Sequence, residues 1–296
     1  MTLLIVSCAG PEKKPEKKMQ EEPSLTVFID ETGEKKEMKL EEYLAGVVAA
    51  EMDTDWPENA LAAQAIVART FTMENINNGK KFNGADATTN EQEFQAYDAS
   101  RINDRVKKAV QKTRGEVIRY KGEYVKGWFS ACCGGLTAGA QEGLDWKKTK
   151  TPYIKAGLED GCMEITKEEN KNWQVKIPLN KVQQAVTSTT GESASAITTA
   201  EIAQKGPSGR AVKIKMGESA VGGPALRLAV GSEEMRSTLL KDIEVEGGNL
   251  VVSGDGFGHG VGLCQWGAHK MAKEDKSPEQ IVNFYYKDVE IEKLWK

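Results

Sequence analysis

The sequence predicts a mixed α+β fold. Residues 40–50 and 58–77 carry apolar side chains at helical spacing. Shorter runs such as Leu25–Ile29 and Arg210–Met216 are β-rich or alternate with period two. Strands and helices do not alternate as regular βαβ units, and no fixed-period repeat runs through the chain.

Taken in order, Leu25–Ile29 reads as a strand stopped by a turn at Glu31-Thr32-Gly33. Leu40, Tyr43, Leu44, Val47 and Val48 form the apolar stripe of a first helix, broken over Asp53–Pro57. Pro57 suits the start of a second helix over Glu58–Asn77. Its stripe is Leu61, Ala65, Ala68 and Phe71 or Thr72, and its many alanines permit close neighbours, so it is expected to be central. Asn77-Asn78-Gly79 stops it. Arg101–Arg114 reads as a third helix with Val106 and Val110 inward. Glu116–Tyr120 and Glu123–Val125 flank Lys121-Gly122 as a hairpin. A segment with the character of an insertion begins at Lys176–Leu179, followed by a Ser/Thr-rich helix and loop over 182–199. Arg210–Met216 is a strand, and Leu226–Leu240 reads mainly as helix. Ile243–Glu246 and Leu250–Val252 pair across Gly247-Gly248-Asn249. A last helix opens with Pro278, and Ser277 and Gln280 have capping-box spacing.

The chain has 296 residues, enough to bury a sizeable core without disulfide staples. Its 40 basic and 44 acidic residues give a net charge of −4, which argues against a strongly basic nucleic-acid binder. No apolar run is long enough for a membrane span. Five cysteines exclude a disulfide-dense scaffold, and two histidines exclude a His-rich metal enzyme. Met1–Ser7 is short and apolar and ends in Ile5-Val6-Ser7-Cys8, the pattern of a lipobox with Cys8 as the lipidated residue. Residues 9–23 are charged and Pro-bearing and bury too little apolar surface to fold alone. Residues 1–24 are therefore expected to be a signal remnant and disordered tether, and residues 25–296 a single folded unit.

Three places carry chemistry. Glu51 ends an apolar helix, where desolvation would raise its pKa and suit it to general acid work, although most helix-end glutamates are simply solvated. In Gly254–Gly262 glycine recurs at every second residue, which fits neither a dinucleotide fingerprint nor a P-loop. Alternating glycines mark a backbone that passes close to a ligand or another chain segment, and His259 sits among them. Third, Cys132 and Cys133 adjoin Gly134-Gly135. They suit a disulfide with Cys162 or Cys264 outside the cytoplasm. A thiol nucleophile with His259 or His269 is the less supported alternative. A zinc site would need cysteine for most of its ligands.

Two blocks resemble the stage II sporulation protein D (SpoIID) family, which includes the amidase-enhancer proteins. The first runs Tyr43–Met52 and Trp56–Thr70, and the second Gly256–Ala268. Shorter matches lie at Thr88-Thr89, Gln95–Tyr97, Ser130–Thr137, Pro152-Tyr153, Ser208–Arg210 and Leu226-Arg227. The resemblance implies one SpoIID-like catalytic domain with a substrate groove over 25–296. It implies a lytic transglycosylase acting on peptidoglycan glycan strands stripped of stem peptides, or else a non-catalytic amidase enhancer. Glu51 falls on the family's catalytic acid/base. Arg69, Gln95, Tyr97, Ser130, His259 and Gln265 are then the candidate substrate contacts, with a structural salt bridge as the alternative for Arg69. Implied partners are glycan strands, a peptidoglycan amidase, and a membrane reached only through lipid at Cys8, with no nucleic acid. Some relatives hold zinc through His and Cys near the Gln-Tyr block, but residues 83–97 contain neither, so no metal and no cofactor are expected. Cys264 stands where the family usually has serine.

Overall fold

The computed structural model describes residues 21–193 and 196–296. The lipobox reading and Cys8 lie outside them. The architecture is mixed α+β, as the sequence predicts. Strand β1 (Ser24–Ile29) pairs antiparallel with β2 (Glu34–Lys39) around the expected turn. Helix α1 (Leu40–Glu51) follows at once, with Leu40, Tyr43, Leu44, Val47 and Val48 all buried, and Glu41 and Glu42 at its positive end. Helix α2 (Glu58–Asn77) has the predicted bounds. Burial extends beyond one stripe, and every residue from Ala60 to Thr70 is buried. A helix apolar or small on all sides belongs inside a core, and α2 packs against α1 and several later helices and strands of this lobe.

Strand β3 (Ala87–Thr88) adds parallel to β1. Helix α3 (Asp104–Lys112) is shorter than expected because Asn103 caps it, its side chain accepting from Val106 N at 3.0 Å. Residues 99–101 form a separate 3₁₀ turn. The hairpin is present as β4 (Glu116–Tyr120) and β5 (Glu123–Tyr124). Strand β6 (Phe129–Ser130) and the short helices α4 (Ala140–Leu144) and α5 (Cys162–Ile165) complete this stretch.

Residues 173–254 form a second lobe with its own apolar cluster, which includes Ile177, Val186, Ile214, Leu226, Leu250 and Val252. It runs β7 (Trp173–Pro178), α6 (Leu179–Thr190), β8 (Ala200–Lys205), β9 (Ala211–Met216), β10 (Ser219–Gly222), α7 (Gly223–Val230), β11 (Leu240–Glu246) and β12 (Asn249–Gly254). Two three-stranded antiparallel sheets result, β11-β12-β7 and β10-β9-β8. The expected helix over 226–240 is a correction. Helix α7 begins earlier, at Gly223 with Pro224 in its first turn, and stops before Gly231, whose φ of +114° continues no helix. Residues 231–239 return as irregular chain with Met235, Ser237 and Thr238 buried.

The chain then re-enters the first lobe. Strand β13 (Leu263–Cys264) pairs parallel with β6, and α8 (Gln265–Lys273) starts directly from it. Helix α9 (Pro278–Tyr285) carries the full Ser277–Gln280 capping box. Strand β14 (Glu290–Lys293) closes on β4. The first core thus joins residues from Leu25 to Trp295, with the second lobe inserted between.

Candidate active site

Glu51 is the last residue of α1 and opens into a cleft of ≈ 290 Å³. Trp56, Arg101, Phe257, Gln265 and Trp266 are among its walls. A loop crosses the end of α1 and is pinned twice: Asp98 N donates to the Gly46 carbonyl at 3.1 Å, and Ala96 N donates to Glu51 Oε1 at 3.0 Å. Gly46 lets that loop approach, since a Cβ there would overlap the ring of Tyr97. Burial raises the Glu51 pKa from the usual carboxyl range to about 7, against the lowering effect of the Ala96 amide and the Gln265 side chain. Near neutral pH such a group can both give and take a proton. Gln265, the first residue of α8, is 4 % exposed, and its Nε2 meets no full hydrogen-bond partner. It is a donor held ready beside the carboxyl. The other carboxylates lining the cleft, Asp53 and Glu169, are exposed.

The aromatic wall was missed by sequence reasoning. Trp56 meets Trp266 edge-on at 4.6 Å and stacks on His269 at 4.3 Å. Trp56 belongs to the break between the first two helices and to the first family block, and Trp266 to the second family block. A tryptophan beside a cleft was the available signal. Arg101 was likewise unmarked, and it donates to the carbonyls of Ala50 and Met52 at 3.2 and 3.3 Å, at the negative end of α1.

Of the other candidate contacts, the structure brings only Gln265 to Glu51's cleft wall. Arg69 is fully buried and forms a two-point ion pair with Glu41, Nε–Oε1 at 3.0 Å and Nη2–Oε2 at 2.6 Å. Its salt-bridge alternative is the one the structure takes. Gln95 is buried, and its Nε2 donates to Thr72 Oγ1 at 3.0 Å. Tyr97 stacks on Tyr43 at 5.7 Å, behind the loop that holds Glu51. Ser130 Oγ accepts from Gly260 N at 3.1 Å. His259 Nδ1 accepts from Val261 N at 3.0 Å. Burial, then the charges of Arg227 and Arg210, lower the His259 pKa to about 3, which leaves the ring neutral.

What passes close to the alternating glycines is the protein itself. A Cβ at Gly256 (φ +78°) would come within 2.8 Å of the Cys132 carbonyl oxygen, and one at Gly260 would overlap the Arg210 guanidinium. Phe257 and Cys132 exchange backbone hydrogen bonds at 2.8 and 2.9 Å, and Trp266 N reaches the Ala131 carbonyl at 3.1 Å. The glycines let residues 256–266 lie against residues 128–138, which is how Phe257, Gln265, Trp266 and Ala131 come to share one cleft.

Cys132, Cys133, Cys162 and Cys264 are buried free thiols gathered in one place. No histidine hydrogen-bonds any of them among the described residues, so the histidine partner of the thiol-nucleophile alternative is not in place. A larger cavity of ≈ 800 Å³ lies elsewhere, between α4 and the second lobe. Its buried carboxylate, Glu142, is already occupied by Ser208 N at 2.9 Å and Ser208 Oγ at 2.7 Å.

A single desolvated carboxyl thus stands in an aromatic-walled cleft on a two-lobed α+β scaffold. The chain belongs to the stage II sporulation protein D family. The SpoIID family model, described as stage II sporulation protein, matches residues 30–120, and a domain of unknown function, DUF8618, matches residues 154–262. An uncharacterised protein of Brachyspira hyodysenteriae is 32% identical over 86% of this chain and 67% of its own length. Stage II sporulation protein D of Bacillus amyloliquefaciens is 28% identical over 94% of this chain and 82% of its own. The amidase enhancer of Bacillus subtilis is 26% identical over 82% of this chain, which spans 39% of that longer protein.

Proposed function

We propose that the protein is a lytic transglycosylase that cuts peptidoglycan glycan strands between N-acetylmuramic acid and N-acetylglucosamine. The observation that carries the reading is Glu51: one half-buried carboxyl with a pKa near 7, in a cleft whose other carboxylates, Asp53 and Glu169, are exposed. Hydrolytic glycosidases use two carboxyl groups, one for the leaving oxygen and one for water or the sugar. A lytic transglycosylase needs one, used twice. Protonated Glu51 donates to the glycosidic oxygen as its bond to C1 breaks. The resulting carboxylate takes the proton of the muramyl C6 hydroxyl, whose oxygen closes on C1 to give a 1,6-anhydro end. Gln265 Nε2 donates to the sugar or its acetamido group, and Trp56 or Trp266 stacks on a sugar face.

Family membership supports peptidoglycan as the substrate, and strands stripped of stem peptides suit a cleft of ≈ 290 Å³. No helix among the described residues is long and apolar enough to cross a membrane. Lipid at Cys8 would place the protein outside the cytoplasm, tethered through residues 9–23. The test is digestion of amidase-treated peptidoglycan followed by mass analysis. Soluble 1,6-anhydromuramyl products from wild type, lost in Glu51→Gln, are expected. Their absence from wild-type digests would sink the reading. Similarity to the amidase enhancer favours a second one, in which the protein recruits a peptidoglycan amidase without cutting glycan. That reading predicts faster amidase turnover that survives Glu51→Gln.

A further inference from the structure

We propose that Cys133, Asp160, Cys162 and Cys264 bind one Zn²⁺ in a closed tetrahedral site that braces the wall of the cleft. One donor atom from each of these four side chains lies within 4.8 Å of all the others. Cys133 Sγ is 3.6 Å from Cys162 Sγ and 3.4 Å from Asp160 Oδ2. Zinc–sulfur bonds of about 2.3 Å at tetrahedral angles set sulfur–sulfur edges of about 3.8 Å, and a mixed sulfur–oxygen edge is slightly shorter at about 3.5 Å. These two spacings match those edges, and the remaining donors lie within 4.8 Å of one another.

The chemistry of the donors agrees. Three sulfurs with one carboxylate select a thiolate-preferring cation such as zinc over magnesium or calcium. Cys133, Cys162 and Cys264 are at most 1 % exposed and Asp160 is 6 % exposed, so no position is left open for substrate and the site is structural. The surroundings already orient the ligands. Cys264 Sγ accepts from Cys133 N at 3.2 Å and from Gly267 N at 3.4 Å, at the start of α8. Asp160 accepts from Tyr285 Oη at 2.9 Å and from Cys162 N at 3.0 Å. Such outer partners fix first ligands in metal sites. Binding exchanges three S–H bonds for three S–Zn bonds and releases three protons to water. The cluster then carries net negative charge, and the fully buried Arg210, whose Nη2 donates to the Cys133 carbonyl at 2.6 Å, lies beside it to offset that charge.

A disulfide is the rival use of these sulfurs. Cys162 Sγ lies 3.6 Å from both Cys132 and Cys133, so the geometry selects neither as its partner. Cys132 Sγ also touches Met163 Sδ at 3.9 Å and stands outside the group of four donors that lie within 4.8 Å of one another. The metal would tie three distant segments together: the chain after β6, the entry to α5, and the start of α8. Cys264 directly precedes Gln265 and Trp266, and Ala131 lies two residues before Cys133. Zinc binding stands whatever substrate the cleft takes.

The full chain is to be purified under reducing, chelator-free conditions and its metal content measured by plasma mass spectrometry. About one zinc per chain is expected. Refolding in chelator should lower Tm, and added Zn²⁺ should restore it. Co²⁺ refolded in zinc's place should show sulfur-to-cobalt charge-transfer bands and tetrahedral d–d bands. Cys133→Ser and Cys162→Ser should lose the metal while Cys132→Ser keeps it. Should the serine variants fail to fold, Asp160→Asn must shift the cobalt spectrum. Wild-type protein that is metal-free, or that is lighter by the two hydrogens of a disulfide, would overturn the proposal. So would zinc retained in the Cys133→Ser, Cys162→Ser double variant, or lost in a folded Cys132→Ser variant.

Discussion

Glu41 and Glu51 stand at opposite ends of α1 and meet opposite surroundings. Glu41 accepts two hydrogen bonds from the Arg69 guanidinium and a third from Gly115 N at 2.9 Å. Glu51 receives one backbone N–H and no ion-pair partner among the described residues. Glu41 is buried and Glu51 is half-buried. A buried carboxylate with a matched cation is a structural brace, while one without a cation holds its proton up to neutral pH. The same helix therefore ends in an ion-paired carboxylate on one side and a carboxyl without an ion-pair partner among the described residues on the other.

The largest effect that separates the two is on rate. Glu51→Gln should lower formation of anhydro ends by about 10³-fold, measured on defined glycans, with unchanged circular dichroism. Arg69→Met should do the reverse. It leaves Glu41 buried and unpaired, which should destabilise the fold by about 3–5 kcal/mol in denaturant titrations. The rate per folded molecule should stay near wild type, and a rate loss matching that of Glu51→Gln would erase the distinction.

A smaller effect is linked to pH. The folded-state pKa of Glu51, about 7, lies above the ordinary value of 4.5, so the folded chain holds more protons than the unfolded one between those values. Stability from this group is complete below the lower pKa and is lost as pH rises through the upper one. Glu51→Gln should therefore be more stable than wild type at pH 8 by about 2 kcal/mol, allowing for partial exposure, and the gain should vanish near pH 4. Wild-type kcat/KM should fall above about pH 7 as the free enzyme loses the acid form. The smallest change is at the amide. Gln265→Ala should cost about tenfold in kcat/KM and move that descending limb to higher pH, because a contact that favours the carboxylate is gone.

The sequence already contained much of the scaffold. The helix over 58–77, both hairpins and the Ser277 capping box were legible because local signals and tertiary context agree there. Helix α8 was not, because it follows a glycine-rich loop and a two-residue strand with no break, and Cys264 caps it in place of a conventional residue. Glu51 could not be singled out from its own residue type and needed the family block. Arg69 shares that block yet serves the core, since sequence proximity to a catalytic glutamate says nothing about which helix face a side chain occupies. The glycine run was readable as close approach, but its neighbour is residues 128–138, far away in sequence. Long-range pairings of that kind also gathered the four cysteines, whose spacing gave no ligand pattern.

The most direct measurement is the fate of water in the reaction. Amidase-treated glycan should be digested in heavy-oxygen water and the muramyl ends examined by mass spectrometry. If Glu51 acts as acid and then base on a single bond, the ends are lighter by one water than reducing ends and carry no label. New reducing muramyl ends from wild-type protein, in place of anhydro ends, would contradict a one-carboxyl site and show that water is the nucleophile.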